Sequence, residues 1–158
     1  MRILVISDSH RNTLAIDKIL ESQPDAKHVF FLGDCTADIE DFPLLYPDKS
    51  FHIVCGNCDF YSNFQSVGLE AVEGIRILYT HGHNYSVKSS YQHLLKTAKE
   101  NKCDIALFGH THIPKIIYED GVYLVNPGSC SRAREGRPSY AVIDITDRGI
   151  MPIIIEIS

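Results

Sequence analysis

The amino-acid sequence predicts an α/β fold of two packed sheets, the first mostly parallel and the second mixed, with helices on the outer faces. Three observations carry this prediction. Short Ile/Leu/Val-rich runs separated by helical segments open the chain, as expected of strands buried on both faces. Hairpin-linked strands fill its second half. Five apolar runs end in residues able to ligate a metal: Asp8 with His10, Asp34, Asn57, His81, and His110 with His112. Ligands in open α/β sheets gather beyond the carboxyl ends of strands, so topology and chemistry point to one edge.

Arg2 to Ser7 reads as a buried strand, followed by a helix from Asn12 to Ser22 with Ile16, Ile19 and Leu20 on its inner face and Asn12 as N-cap. His28 to Leu32 closes at Gly33-Asp34, and Phe51 to Cys55 closes at Gly56-Asn57, with a stretch interrupted by Pro43 and Pro47 between them. This gives a β-α-β-α-β beginning. Leu69 to Val72 and Ile75 to Thr80 flank Glu73-Gly74 as a hairpin, and the second strand delivers His81. A helix from Ser90 to Asn101 carries Leu94, Leu95 and Ala98 on one side. Ile105 to Phe108 leads into Gly109-His110-Thr111-His112, and short strands follow at Lys115 to Tyr118, Val122 to Val125, Tyr140 to Ile145 and Ile150 to Ile157.

The 158 residues, 44% hydrophobic and 22% charged, suit a single domain spanning 1–158 with one sizeable core. A net charge of -5 disfavours long nucleic acid as a partner but leaves room for small phosphate esters at a locally positive site. No run approaches the roughly 20 apolar residues of a membrane span, and the N-terminus lacks a secretory pattern. Five cysteines, an odd number without a dense framework, fit reduced thiols, so a cytoplasmic location is expected.

The seven donors suit two adjacent divalent cations. Two ions roughly 3.5 to 4 Å apart need a shared ligand, which a carboxylate supplies and an imidazole does not. Asp34 is the expected bridge. One ion takes Asp8, His10, Asp34 and His112, and the other takes Asp34, Asn57, His81 and His110. In Asp-x-His and His-x-His, the period of two in extended backbone is expected to aim both side chains the same way. Gly33 and Gly56, each directly before a donor, permit sharp turns or close approach. Mixed oxygen and imidazole donors suit manganese, taken as the first choice, or Fe, Zn, Ni or Co better than Ca or Mg. Two carboxylates and one hydroxide against two divalent ions leave a net charge of about plus one, which attracts an anion. A metal-bridging hydroxide attacking a phosphate ester is the economical chemistry.

The motif order Asp8-Ser9-His10, Gly33-Asp34, Gly56-Asn57-Cys58-Asp59, His81-Gly82-His83 and Gly109-His110-Thr111-His112 resembles the calcineurin-like metallophosphoesterase family over almost the whole chain. The Gly-Asn-Cys-Asp variant and the later Asn126-Pro127-Gly128-Ser129 resemble its small YfcE-type phosphodiesterase branch. The resemblance implies a four-layer α/β/β/α sandwich, the same ligand assignment, hydrolysis of phosphodiester bonds in small substrates, and an edge-strand or face-to-face homo-oligomer as one form of association.

Cys58, Asp59 and His83 are the candidate catalytic residues. Many family members carry His where this chain has Cys58, so a preference for good leaving groups, such as aryl or nucleotide phosphates, is expected. The Cys58 thiol is a weak donor that nearby cations can ionise. His83 is read either as a further ligand through its backbone or as the proton-transfer group. Arg11 and Asn12 follow His10 and reach a substrate oxygen in one reading; in the other, Arg11 is a solvated charge and Asn12 a cap. Phe60, Tyr61 and Phe64 either stack on an aromatic leaving group or, as the favoured reading has it, pack in the core. Arg132, Arg134 and Arg137 receive no role. Two rivals stand beside the esterase: a dithiol oxidoreductase using Cys55-Gly56-Asn57-Cys58, disfavoured because Cys55 ends a strand, and a non-catalytic metal-binding scaffold or protein-interaction module, as in the retromer subunit of the same family.

Overall fold

The computed structural model describes residues 1–158. The first half contains β1 (Arg2–Ile6), α1 (Thr13–Ser22), β2 (Ala26–Phe31), α2 (Phe42–Leu45), β3 (Ser50–Ile53), β4 (Val67–Val72) and β5 (Ile75–Thr80). The second contains α3 (Gln92–Glu100), β6 (Ile105–Leu107), β7 (Lys115–Glu119), β8 (Val122–Asn126), β9 (Ser139–Thr146) and β10 (Gly149–Glu156). One sheet has the order β10-β9-β1-β2-β3 and the other β4-β5-β6-β8-β7.

Both sheets are mixed. In the first, β1, β2 and β3 are parallel, but β9 lies antiparallel on β1 and β10 antiparallel on β9, so it is less parallel than the order of elements suggests. The closing hairpin returns to this sheet because β9 is apolar on both faces and therefore needs a central position with cover above and below. In the second sheet β5, β6 and β8 are parallel, with β4 and β7 as antiparallel edges.

Strand alternation sorts the core into three apolar layers. Ile3, Val5, Phe30, Ile77, Tyr79, Ile105 and Leu107 meet between the sheets. Their neighbours Leu4, Ile6, Val29 and Phe31 turn the other way to meet Ile16, Ile19 and Leu20 of α1. Leu78 and Ala106 likewise face Leu94, Leu95 and Ala98 of α3. A sheet apolar on both faces needs a cover on each, and two such sheets back to back make the α/β/β/α stack.

Local signals behave as the residue types require. The Asn12 side chain accepts a hydrogen bond from the Ala15 N–H at 3.1 Å and caps α1. Glu73 and Gly74 have φ of 48° and 82°, the two positive values of a type I′ hairpin turn. The helix expected between β2 and β3 shrinks to the four residues of α2, with Pro43 in its first turn. No helix is long and apolar enough to cross a membrane.

Candidate metal centre

β1, β2, β3, β5 and β6 all end at one edge, and Asp8, Asp34, Asn57, His81 and His110 follow them within a few residues. Extended backbone does not aim these side chains, contrary to the period-two argument. Asp8, His10, Asp34, His110 and His112 have φ of 55°, 45°, 58°, 69° and 59°, all left-handed. Such a conformation costs about 1–2 kcal/mol per non-glycine residue, and persists only where surrounding contacts determine it. Gly33 and Gly56 act as expected. Gly33 has φ of 94°, and a Cβ there would lie 2.5 Å from the Gly56 nitrogen; one on Gly56 would fall on Asp34 Oδ1.

Asp8 is fully buried. Its Oδ2 accepts hydrogen bonds from Ser7 Oγ at 2.6 Å and the His110 N–H at 3.1 Å, while Oδ1 has no hydrogen-bond partner. That oxygen lies 3.2 Å from His112 Nε2 and 3.9 Å from both His10 Nε2 and His81 Nε2. Burial opposes ionisation of Asp8, yet His112, His81 and the Ser7 hydroxyl together hold its carboxyl below the ordinary value. A buried carboxylate oxygen without a donor costs several kcal/mol unless a cation meets it. Donor atoms from Asp8, His10, Asp34 and His112 all lie within 4.8 Å of one another, so these residues fit a metal ion.

The two oxygens of Asp34 face different neighbours. Oδ2 lies 3.8 Å from His10 Nε2, and Oδ1 lies 3.5 Å from His81 Nε2 while accepting the Cys58 N–H at 3.0 Å. Asp59 builds this loop. Its carboxylate accepts backbone N–H groups from Gly56 at 2.7 Å, Cys35 at 2.8 Å, and Asp34 and Thr36 at 2.9 Å. Asp59 is therefore a positioning residue, correcting its place among the catalytic candidates.

Backbone carbonyls orient two imidazoles. His81 Nδ1 lies 2.7 Å from Leu32 O and His112 Nδ1 lies 2.8 Å from Arg132 O, so the hydrogen-bond network assigns the proton to Nδ1 and leaves each Nε2 lone pair facing the site. His112 Nε2 approaches His10 Nε2 to 3.1 Å, and His81 Nε2 approaches His110 Nδ1 to 3.2 Å. Burial, then the charges of His81 and Lys88, bring His110 down to about 4. Burial also lowers His10. Among the shifted imidazoles only His112 moves upward, because the Asp8 carboxylate 3.2 Å from its Nε2 favours a second proton there.

The structure brings six of the seven expected donors into contact with one another, and the seventh, Asn57, makes no hydrogen bond to them. Asn57 is exposed, and its Nδ2 donates to Cys58 Sγ at 3.8 Å. Cys58 is also exposed, yet partial burial of its sulfur and then the Asp34 carboxylate push the thiol up to about 11. Burial raises Cys55 as well, and both cysteines are free. Raised thiols are the opposite of what a redox C-x-x-C requires. The His83 ring lies 5.4 Å from that of His81, tilted by 55°, and has a buried Nδ1 without a partner; burial, then His81, lowers it.

Several residues that build the site have no role assigned from sequence alone. Asp38 accepts Ser9 Oγ at 2.6 Å and the Arg11 N–H at 2.8 Å. Asn126 donates to Gly109 O and Thr111 Oγ1, fixing the loop of His110 and His112. Ser129 Oγ and Ser131 Oγ donate to the backbone of Asp8 and Ser9. Arg132 lines a 270 Å³ cleft with His10 and Arg11. Phe60 and Tyr61 are 85% and 99% exposed, so the core-packing reading of this pair is wrong.

The description "Calcineurin-like phosphoesterase superfamily domain" matches residues 1–148. The chain is 33% identical over 149 residues to the probable metallophosphoesterase YsnB of Bacillus subtilis, covering 92% of this chain and 85% of that protein. It is 28% identical over 171 residues to the phosphodiesterase YfcE of Escherichia coli K12, with 91% and 88% covered. It is 29% identical over 157 residues to the vacuolar protein sorting-associated protein 29 of Schizosaccharomyces pombe, with 96% and 81% covered. Among solved structures, a conserved uncharacterized protein and predicted phosphoesterase of Streptococcus pneumoniae TIGR4 superposes with a TM-score of 0.85 at 28% identity, over 98% of this chain and 88% of that one.

Replacing Asp59 strands four backbone N–H groups. Asp59→Ala should destabilise the fold by about 3 kcal/mol in denaturant titration and weaken divalent-ion binding by about 10–100-fold, with Asp59→Asn between it and the wild type. Wild-type ion affinity in Asp59→Ala would refute the positioning role.

The upward shift of His112 sets a pH dependence. A raised imidazole stays charged to higher pH and must lose its proton to bind an ion, so affinity should rise with pH by up to about tenfold per unit and level off above that shifted value. Calorimetry in buffers of different ionisation enthalpy should show proton release that diminishes as the pH rises past the raised His112 value and is reduced in His112→Asn. Release unchanged in that variant would place the titration elsewhere.

Proposed function

The chain belongs to the calcineurin-like phosphoesterase superfamily, and from that premise we propose that it is a dinuclear metal-dependent phosphodiesterase acting on small substrates. The observation that carries the proposal is the split of Asp34, one carboxylate oxygen toward His10 and the other toward His81, beside the unpartnered Asp8 Oδ1. In this reading one ion is held by Asp8, His10, Asp34 and His112, and a second by Asp34, His81, His110 and, once its side chain turns inward, Asn57. When bound, such ions supply an acidified water and positive charge for phosphate oxygens. Manganese remains the first choice.

The protein's own residues do the rest. Backbone carbonyls hold Nδ1 of His81 and His112 and so aim each Nε2 at the site, His112 after it has lost its second proton. Arg11 and Arg132, beside His10, orient an anionic diester by charge and hydrogen bonding. Cys58, whose thiol is pushed up to about 11 by burial and the Asp34 carboxylate, is the donor to a departing oxygen in this reading. A neutral His83 with a free Nδ1 is suited to accept a proton. The scaffold alternative keeps support from the sorting-protein relative; this chain's donor set favours an enzyme.

Hydrolysis of bis(p-nitrophenyl) phosphate should appear with manganese, vanish on chelation, return when the ion is restored, and be indifferent to a thiol reductant. Absence of turnover with Mn, Fe, Zn, Ni and Co alike would favour the scaffold. Cys58→His should raise the rate on alkyl diesters relative to aryl diesters by about tenfold or more, because imidazolium is the better donor. An unchanged alkyl-to-aryl ratio counts against Cys58 as the proton donor.

A further inference from the structure

Two clefts meet beside the candidate metal centre. One, of 270 Å³, includes His10 and Arg132; the other, of 320 Å³, extends to Glu40, Phe60 and Tyr61. Both are lined by Arg11, Cys35 and Cys58, so they form one bent groove. Its inner end is cationic and touches a candidate metal donor. Its outer end carries two adjacent aromatic rings that are almost wholly in water.

Folding does not account for those rings. A Phe at 85% exposure and a Tyr at 99% recover little apolar burial, while 38 other hydrophobic residues form the core. Loose chain does not account for them either. They directly follow Asp59, whose carboxylate is fixed by four backbone N–H groups, so the aromatic pair springs from an anchored point. Glu40, exposed at the same end, can accept an N–H and would repel a second phosphate.

We infer that Phe60 and Tyr61 form a stacking subsite for the planar ring of a nucleoside phosphodiester, whose phosphate reaches past Arg11 to the donors around His10. This rests on, and narrows, the phosphodiesterase reading. The charge gradient sets the polarity of the bound molecule: phosphate at the arginine end, an amine-bearing base at the Glu40 end. Face stacking suits any base, because every base has a π-face. Selectivity therefore separates ring-bearing diesters from ring-free ones more strongly than one base from another.

The test compares wild type, Phe60→Ala/Tyr61→Ala and Tyr61→Phe, all loaded with manganese, on 2′,3′-cyclic AMP and on glycerophosphocholine. The double variant should lose at least tenfold more kcat/KM on the ring-bearing diester than on the ring-free one, mainly through KM, and Tyr61→Phe should retain the wild-type ratio. Equal losses on both substrates would overturn the subsite while leaving the phosphodiesterase intact. Binding supplies a readout without turnover: by calorimetry AMP should bind wild type at least tenfold more tightly than ribose 5-phosphate, and the double variant should erase that difference. Equal affinities in wild type would overturn the inference whether or not any diester is hydrolysed. Sedimentation that shows a wild-type dimer lost in the double variant, without a change in the AMP preference, would reassign the rings to a contact between copies and also overturn it.

Discussion

The buried carboxylate of Asp8 is the constraint around which the centre is organised. One oxygen is fully engaged by Ser7 and by the backbone of His110, and the other is abandoned to three imidazole nitrogens. Protein interiors do not tolerate an isolated ionised oxygen, since even a relaxed desolvation penalty runs to several kcal/mol. Upward movement of His112 repairs this in the metal-free chain: a proton on its ring meets the charge on Asp8. A divalent ion does the same work with more charge. The proton and the ion therefore compete for one place.

Strain at the sheet edge follows from that demand. Donors from β1, β2, β5 and β6 must converge on a few ångströms although neighbouring strands are about 4.8 Å apart. Left-handed turns at Asp8, His10, Asp34, His110 and His112 bend the chain back over the strand ends. Each turn is then locked from outside: Asp38 on the loop of His10, Asp59 on that of Asp34, Asn126 on that of His110. Ser129 and Ser131, approaching from the turn before β9, tie down the backbone at Asp8 and Ser9. The return of the C-terminal hairpin to the first sheet thus serves the site as well as the core, because it delivers these hydroxyls.

The layers and most of the donors were legible in the sequence for a simple reason. Strands buried on both faces produce unbroken apolar runs, and a polar residue at the end of each run has few explanations. The residues that escaped act through contacts distant in the chain. Asp38 is 27 positions from the Arg11 N–H it accepts, and Asn126 is 17 from the Gly109 carbonyl it binds. No local pattern encodes such a pairing. Phe60 and Tyr61 were misread for the complementary reason: composition says that aromatic residues are buried, and only the anchored turn at Asp59 explains why these two are not. Asp8, His10 and His112 do come together, but left-handed turns and not extended strands bring the Asp-x-His and His-x-His pairs to the centre.

Charge placement separates the parts of the centre that face an ion from those that shape it. Asp38 and Asp59 lie as close in sequence to the donors as any catalytic group, yet backbone N–H groups and a serine hydroxyl occupy their carboxylates. Compensated by dipoles, they hold loops without adding uncompensated negative charge that would blunt an electropositive site. Asp8 and Asp34 remain as the anionic donors, a charge that the two divalent ions of the proposed reading would outweigh. Arg11 and Arg132 extend that excess outward along the groove. A chain with a net charge of -5 could therefore attract an anion locally, because its acidic residues near the centre are either spent on backbone or face imidazoles and the candidate ion site.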